Sequence, residues 1–138
     1  MEGTTRANRD RRELKKSPKT WEIWQAYIPK LEEGIRSHAQ NGHRPVLIIS
    51  NNEGNNTSTE VNIFAFSSKT EKFGKIPVHV LVEKSDGNGL KCDSILLCEA
   101  ADTIPKSCLK YRMGAIDDES VSGTVREATR KQFGILNH

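Results

Sequence analysis

The sequence predicts a mainly β fold, a small twisted antiparallel sheet of five or six strands closing into a barrel, with one helix packed on it at the C-terminal end. Three observations predict it. Short apolar runs recur between turn-forming clusters of Asn, Gly, Ser and Asp, only the C-terminal segment keeps helical spacing, and no internal repeat appears. A chain of 138 residues supplies one core and implies one domain.

Residues 1–19 are polar and charged, with too few apolar side chains to build a core. They predict a disordered basic arm ahead of a barrel domain over residues 20–138. The arm reads first as a solubilising tail, since charge runs are usually solvated, and second as a non-specific RNA tether. The first strand is "WEIWQAYI" at 21–28, where Trp21, Ile23 and Tyr27 share a side of a period-2 pattern and Pro29 ends the run. "LEEGIRSHAQN" at 31–41 is polar and weakly periodic, a long surface loop of the kind that often carries function.

A continuous apolar strand follows at 45–49, and "SNNEGNNTST" turns the chain, because Asn and Gly tolerate positive φ. "VNIFAF" at 61–66 returns and ends in Ser67 and Ser68. After the polar loop "KTEKFGKI", the strand "PVHVLVE" sets Val78, Val80 and Val82 on one face, opposite His79 and Leu81. "SDGNGL" is a turn and "SILLCEA" at 94–100 a buried strand. Residues 104–109 form a short helical turn and "YRMGAI" at 111–116 a last strand.

The terminal helix has the clearest signals. Asp117 can cap it, Ile116 and Val121 fit a hydrophobic staple, and Asp118 and Glu119 sit at the positive end of its dipole. Val121, Val125, Ala128 and Ile135 keep helical spacing, Arg126, Arg130 and Lys131 favour the far end, and Gly134 suits the stop. The uninterrupted apolar strands exceed what one small barrel covers, which points to a homodimer.

Composition narrows the function classes. Apolar residues make up 35% and charged residues 28%, and no apolar run approaches the ~20 residues of a membrane helix. The basic N-terminus has no apolar core segment, so a secretory signal is not expected and a cytoplasmic location is. Cys92, Cys98 and Cys108 are an odd number without a C-x-x-C pair, which argues against disulfides and structural zinc. No metal and no cofactor is expected, and Cys98 reads as a small buried apolar group. The net charge is +3, but the first 20 residues hold seven basic and three acidic groups. That leaves 14 of the 21 basic and 15 of the 18 acidic groups to the rest of the chain. Nucleic-acid binding by the folded part therefore requires local clustering of cations.

The usual catalytic signatures are absent: no G-x-S-x-G, no H-E-x-x-H, no P-loop and no glycine-rich fingerprint. What remains is a cluster at loop and strand ends: His38, His43, Arg44, the asparagines after Ser50, and Ser67 with Ser68. In a hairpin of residues 45–49 and 61–66, the start of one strand lies beside the end of the other, which makes Arg44 and Ser67 neighbours. A guanidinium fork beside a hydroxyl suits a phosphodiester. By composition and spacing alone, Arg44 reads first as an ordinary charged residue at a strand edge.

The segments "NGHRPVLIISNNEGNN", "IFAFSSK", "KIPVHVLVE", "LKCDSILLCEAADTIPKSCL" and "GAIDDESVSGTVREATRKQFGI" resemble, in order and spacing, the MazF/PemK family of toxin endoribonucleases. The resemblance runs from about Trp21 to Ile135. Its most specific parts are G-x-R-P-V-L-I-I, beginning at Gly42, and D-S-x-x-L-x-E, beginning at Asp93. It implies a dimeric SH3-like barrel with a C-terminal helix, and cleavage of single-stranded RNA at a short motif without metal. In that chemistry the 2′-hydroxyl attacks the adjacent phosphate, leaving a 2′,3′-cyclic phosphate and a 5′-hydroxyl, and a cognate antitoxin blocks the groove.

The resemblance makes Arg44 the essential arginine and Ser67 the catalytic hydroxyl, where relatives usually have threonine. His43 and His38 are the acid/base candidates, and Gln40, Asn51 and Ser68 are expected to contact RNA. His79 is similar to a histidine of some relatives, yet a lone histidine on a strand reads as structural. Ala100, Ala101 and Asp102 stand where relatives often carry a glutamine and an arginine, which bears on the cleavage motif. The alternative reading is a non-catalytic CcdB-like toxin or binding module of the same fold acting on DNA gyrase or another protein. The arginine–proline strand entrance favours the ribonuclease.

Overall fold

In the computed structural model, residues 17–29 and 42–134 are described. Six strands, β1 (Glu22–Ile28), β2 (Gly42–Ile48), β3 (Glu60–Ser67), β4 (His79–Val82), β5 (Ser94–Pro105) and β6 (Leu109–Ala115), form one sheet in the order β4-β5-β3-β2-β1-β6. All neighbouring pairs are antiparallel. A short helix α1 (Asn52–Thr57) and a terminal helix α2 (Glu119–Gln132) complete the regular elements. Residues 1–16 of the expected arm, the expected loop over residues 31–41 and Ile135 lie outside the described residues. Among those residues no helix is long and apolar enough to cross a membrane.

Several elements differ from expectation for local physical reasons. Strand β2 begins three residues earlier, because Gly42, His43 and Arg44 pair with Ile28, Tyr27 and Ala26 across the β1 ladder. The presumed turn after Ser50 is a helix instead, since the Asn51 side chain accepts from Gly54 N–H at 2.7 Å and caps the first turn. Strand β5 runs on to Pro105, its second half pairing with Glu60–Phe64 after an irregularity between Phe64 and Phe66. The helical turn expected at 104–109 shrinks to a 3₁₀ turn at Lys106–Cys108, whose first N–H donates to Thr59 O at 2.8 Å. The cap of α2 is Asp118 rather than Asp117, its carboxylate accepting from Ser120 N–H at 2.9 Å.

Both faces of the central strands are buried within the chain. On one face Ile23, Leu47, Phe64, Phe66 and Leu96 pack with the valines of β4 and with Val125 and Ala128 of α2. On the other, Ala26, Ile28, Val46, Ile48, Val61 and Ile63 meet Ile104, Cys108 and Leu109 from the β5–β6 corner. The second cluster exists because β5 pairs with β3, β6 pairs with β1, and only a three-residue turn joins them. This internal burial accounts for the uninterrupted apolar strands.

The hydrogen-bonded sheet is open, so ladder pairing alone does not close the barrel expected from the strand pattern. Strands β4 and β6 are its edges and do not pair. The turn between β4 and β5 occupies the space instead. Ala115 N–H donates to Gly87 O at 3.0 Å, and a Cβ on Gly89 would lie 2.1 Å from Met113 O. That approach, with Gly89 at φ +71°, admits only glycine. Asn88 satisfies the turn's own polar groups, accepting from the N–H groups of Ser85 and Leu90 and donating to Glu83 O. The turn thus closes against β6 by packing, and β6 gains no second ladder.

Candidate active site

Pairing across β2 fixes the position of Arg44. Its backbone lies opposite Ala26 on one side, and the β2–β3 register of Val46 with Ala65, continued two residues, sets it level with Ser67. The side chain is half-buried, and its Nη1 donates to Phe66 O at 3.0 Å. Burial pushes the guanidinium pKa down from its ordinary value. An arginine starts so far above neutrality that it stays charged at physiological pH. One residue beyond that carbonyl, Ser67 Oγ accepts from Lys69 N–H at 3.2 Å, and its own O–H remains a donor. The expected arginine–hydroxyl neighbours are therefore held by the same strand end.

Arg44, His43, Ser67 and Ser68 line one cleft of about 510 Å³. The cleft also collects Lys69 and Lys72 from the β3–β4 connection and Lys91 from the β4–β5 connection. Four permanent cations thus face a single carboxylate, Glu99, in a folded part whose charges nearly cancel. A local field of this sign concentrates polyanions. The lysines escaped sequence reasoning because they stand in two loops, each diluted by acidic neighbours, and only the fold brings them together.

The second feature of the cleft is a pair that sequence reasoning set aside. His79 on β4 lies opposite Leu97 on β5, and its Nε2 is 2.8 Å from Glu99 Oε2, two residues further along β5. The imidazole is 9% exposed. His79 Nδ1 and Glu99 Oε1 are buried and have no hydrogen-bond partner among the described residues. A buried polar atom left unpaired costs about 1–3 kcal/mol, so such atoms at the wall of a cleft make His79 and Glu99 candidates for contact with a bound group. The carboxylate accepts, so Nε2 carries the ring hydrogen, and a neutral ring keeps a lone pair on Nδ1. The available signal was the alternation in "PVHVLVE" and "SILLCEA", which puts His79 and Glu99 at polar positions of adjacent strands; their register was not legible.

The remaining expected site residues fall as follows. His43 is exposed, with its ring against Tyr27. Asn51 caps α1 and is not among the residues lining the cleft. His38 and Gln40 lie outside the described residues. Cys98 is fully buried and its thiol is pushed up to about 12, first by burial and then by the charge of Glu99, so it stays protonated and inert.

An arginine anchored near a hydroxyl, with lysines and a histidine–carboxylate pair around it, gives a small antiparallel sheet a cleft whose charge suits an anionic ligand. Comparison with known proteins places it more narrowly. The chain belongs to the PemK-like, MazF-like toxin family of type II toxin-antitoxin systems, whose sequence profile matches residues 19–132. Over 87 residues it is 37% identical to the endoribonuclease MazF of Staphylococcus saprophyticus, a match covering 63% of this chain and 71% of that protein. Its fold is similar to MazF of Deinococcus radiodurans, with a TM-score of 0.65 at 18% identity over 86% of this chain and 97% of that one. A mycobacterial endoribonuclease in complex with its cognate antitoxin gives a TM-score of 0.61 at 18% identity, over 86% of this chain and 95% of that one.

Proposed function

We propose that this chain is a toxin endoribonuclease that cuts single-stranded RNA at a short sequence motif without a metal ion, and that a cognate antitoxin inhibits it. Family membership and the likeness to a curated endoribonuclease support the activity. The observation that carries the chemistry is the hydrogen bond from Arg44 Nη1 to Phe66 O, which holds a guanidinium next to the Ser67 hydroxyl in a cationic cleft.

The reaction forms a bond from the 2′-oxygen to phosphorus and breaks the bond from phosphorus to the 5′-oxygen. The products are a 2′,3′-cyclic phosphate and a 5′-hydroxyl. Arg44 neutralises charge growing on the phosphoryl oxygens, and Ser67 donates to one of them. The proton leaving the 2′-hydroxyl needs an acceptor, and the 5′-oxygen needs a donor. The His79–Glu99 pair suits this exchange: the hydrogen bond to Glu99 orients the ring and leaves its other nitrogen to take the proton from one oxygen and pass it to the other. Ser68 and the cleft lysines bind flanking phosphates.

Around this site the reading is an SH3-like barrel domain over residues 20–138, active as a homodimer in the cytoplasm, with residues 1–19 as a basic arm. The test is cleavage of mixed transcripts in excess chelator, followed by mapping of the RNA ends. Cutting at one short motif, with 5′-hydroxyl ends, is the expected result; loss of cutting in chelator would remove the metal-free mechanism. A substrate with one 2′-deoxy nucleotide on the 5′ side of the cut should resist, and its cleavage would exclude attack by the 2′-hydroxyl.

A further inference from the structure

We propose that the rings of Tyr27 and His43 form a stacking platform for a nucleobase of the RNA, beside the phosphate held by Arg44. The inference rests on the reading of the cleft as an RNA site and adds a base subsite to it.

Tyr27 on β1 and His43 on β2 are directly opposite each other in the ladder, with ring centroids 4.6 Å apart and planes tilted by 51°. The tilt keeps the two rings from covering each other, and both are open to water: Tyr27 is 40% exposed and His43 is exposed. Neither side chain makes a hydrogen bond or ion pair among the described residues, so neither is held there by polar contacts. His43 belongs to the lining of the cleft, and the next ladder pair along is Ala26 with Arg44. Successive residues of a strand start on opposite faces, so the proximity rests on the cleft, which His43 and Arg44 both line.

The other rings of the cleft cannot play this part. Phe66 is 2% exposed and His79 is packed against Glu99. The lysines stand on the β3–β4 and β4–β5 connections, where they suit phosphates. Single-stranded RNA presents unstacked base faces, and an aromatic surface next to a phosphate-binding arginine binds them whatever their identity. This gives His43 a role that needs its ring rather than its proton, in contrast to the acid/base role expected from sequence.

The test uses the full chain and short, fluorescently labelled, mixed-sequence single-stranded RNA made uncuttable by 2′-O-methylation, with affinity read by anisotropy. Tyr27→Ala and His43→Ala should each weaken binding by about 5- to 140-fold, the range expected for one stacked base. His43→Phe should recover most of the loss. Tyr27→Leu, which keeps apolar bulk on the strand, should bind as poorly as Tyr27→Ala. Circular dichroism confirms that each variant is folded. Equal affinity of all variants, no binding by the parent chain, or failure of His43→Phe to rescue would each overturn the platform. Cleavage of unmodified RNA separates the two readings. A chain that binds through these rings but never cuts keeps the platform and loses the nuclease. A chain that cuts with kcat abolished equally in His43→Ala and His43→Phe makes His43 a proton carrier instead.

Discussion

At the scale of single residues, the site depends on two neighbours with different tolerances. Arg44 acts through charge and through a planar fork that Phe66 O anchors at one nitrogen. Lysine keeps the charge and loses the fork. Arg44→Ala should lower the single-turnover cleavage rate on the order of 10²–10³ or more, the usual effect of removing one preorganised donor, with Arg44→Lys between it and the parent. Ser67 acts through its hydroxyl alone. Ser67→Thr should therefore retain activity and Ser67→Ala should lose it by a similar factor, with thermal melts unchanged in both. An active Ser67→Ala variant would move the hydroxyl's role to another group.

At the scale of elements, the start of β1 is fastened by one carboxylate. Glu22 accepts from Lys19 N–H at 2.8 Å, from Trp24 Nε1 at 3.0 Å and from Arg112 Nε on β6 at 2.7 Å. Burial pushes its pKa up, but these bonds together with the charge of Arg112 hold it below the ordinary value of 4.5. A carboxyl lowered in the folded state stabilises the fold above its unfolded pKa, and that contribution fades as pH falls through the lower folded value. The stability advantage of the parent over Glu22→Gln should thus be complete at neutral pH and shrink below about pH 4.5. Urea unfolding from pH 7 to pH 3 measures it; a gap independent of pH would show that the bonds do not require the charge.

At the scale of the whole molecule, the charge pattern sets how RNA binds. The folded part carries almost no net charge, so its attraction for a polyanion comes from Arg44, Lys69, Lys72 and Lys91 gathered in one cleft. For single strands, each phosphate neutralised contributes about −0.7 to the slope of log K against log salt. Lys69→Gln, Lys72→Gln and Lys91→Gln should each flatten that slope by about 0.7 in salt titrations with uncuttable RNA. The same substitution at Lys110, which does not line the cleft, should leave it unchanged.

The sequence by itself determined the inventory of strands, the terminal helix and the placing of Arg44 and Ser67 at neighbouring strand ends. These follow from local patterns: apolar periodicity, turn residues, and a hairpin whose arms are close in the chain. It also exposed the family through two short motifs. The tertiary structure alone decided which strands became sheet edges, because the turn at 83–93 meets β6 through the approach of Gly89 to Met113 and one hydrogen bond from Ala115 N–H to Gly87 O. It decided the cleft as well. Lys91 and Glu99 meet Arg44 across about fifty residues of chain, and His79 finds Glu99 through the register of β4 on β5. Register and long-range convergence are set by the packing of the whole core, and no local stretch of sequence encodes them.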